Sequence, residues 1–139
     1  MLTDIDIRQL IPQREPILMV DRLTEADGER AVTRFTIPDG LVFLENDGSM
    51  AEVGLIENIA QSASALAGYK AMLLGAAAPP IGYIGEIKRF HCLSCPHAGE
   101  TLETTVVFGA EVDGVSIIDG EVRVGEKVMA KTKMKIFVA

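Results

Sequence analysis

Few features of this sequence are typical of secreted or membrane-spanning proteins. Only two of the 139 residues are cysteines, so the chain cannot rely on a disulfide framework. The longest apolar region, residues 71–84, is interrupted by Gly75, Pro79 and Pro80 and is too short to cross a bilayer. The first residues are acidic, whereas a signal peptide begins with basic residues. We therefore expect a protein of a reducing, bacterial-type cytoplasm whose two thiols are free, with no membrane partner.

Positive charge is also scarce. The chain carries 13 Lys and Arg against 20 Asp and Glu, a net charge of −7. A nucleic-acid partner would require an electropositive surface, so this class of protein is not expected. The sequence shows no internal repeat and no low-complexity linker. Its length fits a single domain, residues 1–139, with a sizeable hydrophobic core.

The first part of the sequence predicts short elements. They are a helix at residues 3–10, a buried strand at residues 17–23, a hairpin turn at Asp27-Gly28 and an alternating strand that ends near Ile37. Thr3 or Asp4 is available to cap the helix.

The central part predicts one long helix over residues 50–74. Ser49-Met-Ala-Glu52 has the pattern of a capping box, and Gly75 is placed to end the helix. Apolar residues follow at three-four spacing: Val53, Ile56, Ala60, Ala63 and Ala67. The other faces are also mostly apolar, so we expect the helix to be buried and wrapped by a sheet.

The last part predicts four strands, at residues 81–90, 101–112, 115–124 and 127–139, with a hairpin at Gly125-Glu126. The last strand alternates between an apolar face, which includes Val128 and Val138, and a face of lysines, which we expect to be solvated. Together these elements predict an α+β fold in which an antiparallel sheet curls around one long central helix.

Both cysteines and both histidines lie in RFHCLSCPH, residues 89–97. A structural zinc site needs four ligands, normally from two separated pairs, and only Cys92 and Cys95 form such a pair. A thioredoxin-type pair lies at a helix N-terminus, whereas a loop is expected after Cys95. His91 and Cys92 would point to opposite faces of a strand. We therefore interpret the segment, with His97, as a strand end that runs into a loop, and expect no metal and no cofactor.

Glu57 is the unusual residue of the helix. It lies two turns into a nearly apolar segment, next to Asn58 and one turn before Gln61. Acidic residues are rarely buried without a partner, and apolar surroundings favour the protonated carboxyl group, which suits general acid catalysis. The alternative is that Glu57 faces a gap at the sheet edge or pairs with a nearby cation, for which the candidates are Arg14, Lys88 and Arg89.

Four segments resemble one family. IPQREPILMVDRL at residues 11–23 is similar to the opening motif of the hot-dog-fold 3-hydroxyacyl-[acyl-carrier-protein] dehydratases, the FabZ/FabA family. VGLIENIAQSASALAGY at residues 53–69 resembles their central helix. PPIGYIGEIKRF at residues 79–90 and GETL at residues 99–102 resemble the strand and turn that follow. Among the branches of the family, the FabZ-like proteins of aryl-polyene-type pigment clusters are the most similar.

The resemblance implies the hot-dog fold and a homodimer or a higher oligomer with acyl tunnels between subunits. One subunit supplies a histidine that removes the α-proton, and the helix carboxylate of the other helps to expel the 3-hydroxyl group. By position, Glu57 matches that carboxylate and Gln61 the glutamine that follows it. Val53 and Gly54 match the first turn, where backbone N–H groups bind the thioester oxygen.

This chain also departs from the family pattern. The family's Gly-His-Phe-Pro segment is replaced by residues 43–49, which contain no histidine, and Ala51-Glu52 replaces Pro-Gly. Gln13 stands where the opening motif has histidine, and an amide cannot act as a base. The groups left as substitute bases are Glu45, Asp47, His91 and His97.

Three functions fit these residues. The first is a dehydratase of 3-hydroxyacyl thioesters on acyl carrier protein, in fatty-acid or polyene biosynthesis, with a rearranged base. The second is a non-catalytic hot-dog subunit that binds acyl chains or completes a heterodimer with an active dehydratase. The third is an acyl thioesterase in which Glu57 directs water. Carrier protein is acidic, so docking needs local positive charge, for which the candidates are Arg14, Lys70, Lys88 and Arg89.

Overall fold

A computed structural model describes residues 2–138 of the chain. Within that range, six antiparallel strands form one sheet around one long helix, which confirms the predicted α+β arrangement. The strands are β1 (Arg22–Asp27), β2 (Arg30–Thr36), β3 (Gly82–Cys92), β4 (Thr101–Val112), β5 (Val115–Val124) and β6 (Lys127–Val138), and the helix is α1 (Glu52–Leu73). The strand order is β1-β2-β4-β5-β6-β3, so β1 and β3 are the edges. Two short 3-10 helices, Leu2–Asp4 and Ile7–Gln9, precede the sheet.

Helix α1 crosses the inner face of the sheet and contacts all six strands. Leu55, Ile59 and Leu66 are fully buried on the covered side of the helix and join the same hydrophobic core as Leu102 and Ile118 of the sheet. Burying such side chains is the main stabilising contribution to folding. No helix among residues 2–138 is long and apolar enough to cross a membrane.

The C-terminal strands follow the sequence prediction closely. Strands β4 and β5 have the predicted bounds, and β6 begins at the predicted residue. Inward residues of β6, from Ala130 to Ile136, are buried at every second position. The intervening lysines lie on the outer face, where each is within 4 Å of an acidic side chain: Lys131 with Glu121, Lys133 with Asp119 and Lys135 with Glu86. The predicted inward position of the Val138 side chain lies outside the described residues.

The N-terminal prediction is wrong in two respects. Instead of one helix capped by Thr3 or Asp4, the chain forms two 3-10 helices, and the side chain of Asp6 caps the second by accepting from Arg8 N at 2.9 Å. The strand predicted at residues 17–23 begins only at Arg22. The reason is that the backbone of Met19 is hydrogen-bonded to side chains of α1 and not to a neighbouring strand.

The predicted capping box is also wrong. The hydroxyl of Ser49 donates to Asp47 Oδ1 at 2.6 Å and does not cap the helix. The backbone N–H of Met50 donates to Pro96 O at 2.7 Å, and that of Ala51 to Phe43 O at 2.8 Å. These bonds hold the chain extended up to Ala51, so α1 begins at Glu52. The predicted end of the helix is confirmed, because Gly75 adopts a positive φ of 85° just beyond the last turn of α1.

One face of α1 is not covered by the sheet. The sequence predicts a helix buried all round, but Val53 is 56% exposed, and Ile56, Ala60 and Ala67 are only half-buried. The sheet of this chain covers the opposite face. The side chain of Glu57 belongs to the uncovered face.

Candidate active site

The carboxylate of Glu57 lies on the second turn of α1 and is half-buried. Its Oε1 atom accepts a hydrogen bond from Gln61 Nε2 at 2.9 Å. Residues four apart in a helix face the same side, so this contact follows from the helical spacing. Within the described residues, no cation is found within 4 Å of the carboxylate, and the expected alternatives Arg14, Lys88 and Arg89 do not pair with it. Glu57 is therefore positioned by an amide and is not neutralised by an ion pair.

Gln61 is fully buried and all of its amide atoms are occupied. Besides the bond to Glu57, its Nε2 donates to Ile17 O at 2.9 Å, and its Oε1 accepts from Met19 N at 2.6 Å. Both donor hydrogens and the acceptor oxygen are thus satisfied inside the chain. Gln61 ties residues 17–19 to the helix and orients Glu57. The substrate contact that the family resemblance implies for Gln61 stays a prediction.

Asn58 supports the same arrangement from the covered side of the helix. Its Nδ2 donates to Met19 O at 2.8 Å, and its Oδ1 accepts from Thr104 Oγ1 at 2.6 Å. One turn further, Ser62 Oγ lies 2.7 Å from Thr33 Oγ1 and 2.8 Å from Asn58 O. These side chains are buried and paired, as buried polar groups need to be. The network fixes both the rotation of α1 on the sheet and the segment beside Glu57.

A pocket of about 200 Å³ opens at Glu57 between α1, the start of β3 and the N-terminal segment. We refer to it as the Glu57 pocket. Its polar lining comes from Glu57, Gln13, Ser64 and Tyr83, and its apolar lining from Ala60, Ile84 and Ile136. Gly82 also lines it, and a Cβ at that position would lie 3.1 Å from Ser64 Oγ. The pocket therefore combines an acidic group with an apolar wall, a combination typical of small-molecule sites.

The first turn of α1 presents a free backbone donor one turn before Glu57. In the described part of the chain no acceptor is found for the backbone N–H of Val53, one turn before Glu57, whereas the N–H of Gly54 donates to Ala51 O at 2.9 Å. Gly54 is buried, and a Cβ there would lie 2.8 Å from Met50 Cγ and 3.0 Å from Phe43 Cβ. A helix N-terminus favours negative charge. The contact with a thioester oxygen that the resemblance implies for Val53 and Gly54 stays a prediction, and the lack of a side chain at Gly54 allows the preceding segment to pack closely.

The histidines lie away from the Glu57 pocket, and none lines it in the range 2–138. His91 is on the outer face of the sheet, opposite Lys131. His97 forms an isolated bridge with Ser49, so it is close to the segment before α1, and its backbone N–H donates to Glu100 Oε1 at 2.7 Å.

Of the loop carboxylates, Glu45 and Asp47 are both exposed. Hydrogen bonds from the hydroxyl and backbone N–H of Ser49 hold the pKa of Asp47 below its ordinary value.

The two cysteines meet at the end of β3, which confirms the interpretation of a strand end running into a loop. Their Sγ atoms are 3.6 Å apart and both thiols are free. Burial, and secondarily the hydrogen bond with Cys95, raises the pKa of Cys92 to about 11. In residues 2–138, no group of three or more His, Cys, Asp and Glu side chains is arranged to hold a metal ion.

A larger groove of about 790 Å³ lies at the other end of α1, against the β4–β5 hairpin. Two of its charged groups pair with each other, because Lys70 Nζ is 3.4 Å from Glu29 Oε2, and Lys70 Nζ also lies 5.8 Å from the centre of the Phe108 ring. Among the described residues, the carboxylate of Glu57 is half-buried with no cation within 4 Å, whereas Glu111 of the groove is exposed, so we assign the candidate chemistry to the smaller Glu57 pocket.

Comparisons with known proteins agree with this geometry. A family model described as ApeP-like, ApeP dehydratase, matches residues 5–139. The chain belongs to the ApeP-like dehydratase family. The ApeP-like chain is also 29% identical over 143 residues to the 3-hydroxyacyl-[acyl-carrier-protein] dehydratase FabZ of Levilactobacillus brevis, covering 99% of this chain and 94% of that protein. The expected relationship to FabZ-like dehydratases of the ApeP type is thus confirmed.

Solved structures confirm the hot-dog fold of the ApeP-like chain. The dehydratase heterocomplex ApeI:P of Xenorhabdus doucetiae superposes with a TM-score of 0.88 at 16% identity, over 97% of this chain and 91% of that chain. The PaaI protein of the Escherichia coli phenylacetic acid degradation operon superposes with a TM-score of 0.66 at 16% identity, over 83% and 80% of the two chains.

Sequence reasoning found Glu57 but not most of the pocket around it. The sequence does not indicate Ser64 or Tyr83 as site residues, and it indicates Gln13 only as an amide that cannot act as a base. Ser64 lies two turns after Glu57 on the same helix face, so helical spacing alone was a usable signal for it. Gln13 and Tyr83 reach the pocket through long-range packing, for which the sequence gives no signal.

Proposed function

We propose that this chain, together with a second hot-dog subunit, eliminates water from 3-hydroxyacyl thioesters carried on acyl carrier protein, in fatty-acid or polyene biosynthesis in the cytoplasm. The observation that carries the proposal is the Glu57 carboxylate, held by Gln61 and facing a partly apolar pocket without a neighbouring cation. Membership of a dehydratase family and the relationship to a FabZ enzyme support the reaction class.

The chemistry assigns a proton donor role to Glu57. A base removes the proton from C2 of the acyl chain, the C2–H electron pair forms the C2–C3 double bond, and the C3–O bond breaks. The protonated carboxyl group of Glu57 gives its proton to the departing 3-hydroxyl group, which leaves as water. A general acid must lie within hydrogen-bond reach of the group that it protonates, and the position of Glu57 in the wall of a pocket supports this role.

The first turn of α1 would bind the thioester carbonyl. Negative charge develops on that oxygen as the C2 proton leaves, and Val53, whose backbone N–H has no acceptor among the described residues, lies one turn before Glu57. The positive end of the helix dipole stabilises the same charge. Val53 and Glu57 thus act on the two ends of the reacting segment, the thioester oxygen and the 3-hydroxyl group.

The second subunit is proposed from the edge of the sheet. Strand β3 pairs with β6 on one side and is exposed along most of its length, including Ile84 at 38% and Ile87 at 42%. Ile84 lines the Glu57 pocket together with Ala60 of the uncovered face of α1, where Val53 is also exposed. An exposed edge strand next to an apolar helix face is a template for another chain. A second hot-dog subunit on this edge would cover α1 and close the Glu57 pocket.

We assign the base to that second subunit. Within residues 2–138 the Glu57 pocket contains no histidine, and His91 lies on the outer face of the sheet. A second copy of this chain would bring only His97, which is close to the segment before α1. A different hot-dog subunit with its own histidine satisfies the requirement directly. The likeness to a chain of a dehydratase heterocomplex supports such a pairing.

Docking of an acidic carrier protein is proposed at the same edge. Of the four cations that the sequence suggested, Arg14 donates to the backbone carbonyls of Ile11 and Gln13, and Lys70 is paired with Glu29. Lys88 and Arg89 remain exposed on β3. Charges at the rim of an interface mainly guide association, so we assign these two residues to carrier docking.

The missing histidine also favours a second candidate, a non-catalytic subunit that only binds acyl chains or completes an active partner. One experiment separates the candidates. The chain is purified alone and with a hot-dog dehydratase subunit of the same organism, and each preparation is incubated with a 3-hydroxyacyl carrier protein and followed by mass spectrometry. A 2-enoyl product that requires the pair and is lost with Glu57→Gln supports the proposal. Product formation that is unchanged by Glu57→Gln indicates the non-catalytic subunit, and free acid indicates a thioesterase.

The origin of the base is tested with His97→Gln in the same assay. If the base belongs to the second subunit, the variant keeps most of the wild-type rate. Loss of turnover in a folded His97→Gln variant would place the base on this chain.

A further inference from the structure

The side chain of Gln13 contains an unpaired buried atom. In residues 2–138, Gln13 Oε1 is the one buried side-chain nitrogen or oxygen atom without a hydrogen-bond partner. A buried acceptor without a partner loses its hydration without gaining a hydrogen bond, so native proteins rarely keep one without a reason. Gln13 lines the Glu57 pocket, opposite α1. The residue that carries the unpaired acceptor and the candidate acid therefore line the same small cavity.

The backbone that presents Gln13 is firmly held. The guanidinium group of Arg14 donates to Ile11 O and Gln13 O, both at 2.8 Å, and to Arg8 O at 3.0 Å. On the other side, the backbone N–H groups of Ile17 and Leu18 donate to Arg14 O. These bonds fix the backbone from which the Gln13 side chain extends into the wall of the pocket.

We propose that Gln13 Oε1 accepts a hydrogen bond from the 3-hydroxyl group of the acyl substrate and selects 3-hydroxyacyl thioesters over acyl thioesters that lack this group. The inference rests on the proposed function. A hydroxyl group has one hydrogen to donate and two lone pairs that can accept. Its hydrogen binds Gln13, and a lone pair faces the carboxyl group of Glu57.

This arrangement prepares the hydroxyl group to leave. With its own hydrogen held by the amide, the oxygen turns a lone pair to Glu57, which donates the proton that completes the departing water. An amide neither gains nor loses a proton in this step, so Gln13 orients the leaving group and does not exchange protons with it. A site built to bind a hydroxyl group also rejects the analogue without it, because the acceptor would then stay buried and unpaired.

The test compares two carrier-bound thioesters of equal chain length, one with and one without the 3-hydroxyl group. Binding is measured to the complex of this chain with its partner subunit, with Glu57→Gln introduced to prevent turnover. The variant is Gln13→Met, which keeps the length of the side chain and removes its polar atoms. The control is Gln9→Met, because Gln9 is an exposed glutamine of the same segment. Thermal unfolding of each protein is recorded, and Gln13→Leu replaces Gln13→Met if the latter does not fold.

We expect the protein with Gln13 to prefer the hydroxylated thioester by about tenfold, the value of one hydrogen bond of about 1.4 kcal/mol. Gln13→Met should reduce this preference to less than about twofold without lowering the unfolding temperature, and Gln9→Met should change neither. A preference that persists in Gln13→Met, an equal loss of affinity for both thioesters, or no preference before the substitution would each overturn the role of Gln13. If neither thioester binds to the parent complex, the proposed function fails as well.

Discussion

Gln61 Nε2 donates to Glu57 Oε1 at 2.9 Å across one turn of α1, and the same amide group holds the backbone of Met19 and Ile17. One buried side chain thus connects the candidate acid to the segment that leads into β1. Orientation of Glu57 and anchoring of this segment are therefore coupled, and a change at Gln61 should affect both stability and catalysis.

Gln61→Met tests this coupling. The substitution leaves the N–H of Met19 and the carbonyl of Ile17 unpaired, and we expect the free energy of unfolding to fall by about 1–3 kcal/mol. Because Glu57 also loses its orienting hydrogen bond, kcat of the dehydratase complex should fall more than KM rises. Chemical denaturation and steady-state kinetics measure the two effects. Gln9→Met is the matched exposed control. An unchanged unfolding midpoint would contradict the anchoring role.

The hydrogen bond between Asn58 and Thr104 should contribute to stability, and substitutions at both positions can measure that contribution. Asn58→Leu leaves Met19 O and Thr104 Oγ1 unpaired in the core, and we expect a loss of about 2–3 kcal/mol. Replacing Thr104 by Val in the same protein removes Thr104 Oγ1, one of the two atoms that lost their hydrogen-bond partner. The double variant should therefore be less destabilised than the sum of the single variants, as measured by a double-mutant cycle in urea. Strict additivity would show that the two side chains are not coupled.

The predictability of the fold depends on how local the determining contacts are. Strands β4 and β5 were predicted to the residue because alternating side chains and short hairpins define them within a few positions. The start of α1 was misplaced because the hydroxyl of Ser49 binds Asp47 and not the helix. The strand predicted at residues 17–23 failed because Met19 bonds to Asn58 and Gln61, about forty residues away along the chain.

The residues of the candidate site also differ in how far the sequence alone can predict them. Glu57 stands out in the sequence because an acidic residue in an apolar helix is unusual wherever the helix packs. Gln13 could not be recognised, because its importance lies in the burial of one atom by segments that are distant in the sequence. The uncovered face of α1 was also missed, because the spacing of Val53 and Ala60 shows that the face is apolar but not which protein surface covers it.

Cys92 should remain protonated at an unusually high pH. Burial, and then the hydrogen bond with Cys95, raises the pKa of Cys92 from the ordinary value of 9.0 to about 11. The thiolate is the form that iodoacetamide alkylates, so the rate at Cys92 in the folded protein should rise with a midpoint near pH 11. Mass spectrometry of the peptide that contains residue 92 measures this rate. In Cys95→Ala the midpoint should move downward, because one of the groups that raises the pKa is gone.

The same shift predicts how stability depends on pH in alkaline solution. Between pH 9 and pH 11 the thiol of the unfolded chain loses its proton while Cys92 of the folded chain keeps it. The folded state then binds more protons than the unfolded state, so the contribution of Cys92 is present below pH 9 and is lost as the pH rises through about 11. Cys92→Ser should remove this component from the stability profile measured by urea unfolding. An identical alkaline slope in the variant would contradict the assignment.

The edge strand β3 offers the most direct test of the proposed assembly. Ile87 points towards the same side of the sheet as α1, opposite Met134 of β6, and is 42% exposed. If a second hot-dog subunit covers this side, Ile87→Lys places a charge in an apolar contact, where it would lose hydration without gaining a partner. We expect the dissociation constant of the assembly to rise at least about tenfold, as measured by analytical ultracentrifugation. The control is Val112→Lys, because Val112 is 67% exposed at the far end of β4. Equal weakening by both variants, or by neither, would place the second subunit elsewhere and leave the Glu57 pocket open to solvent.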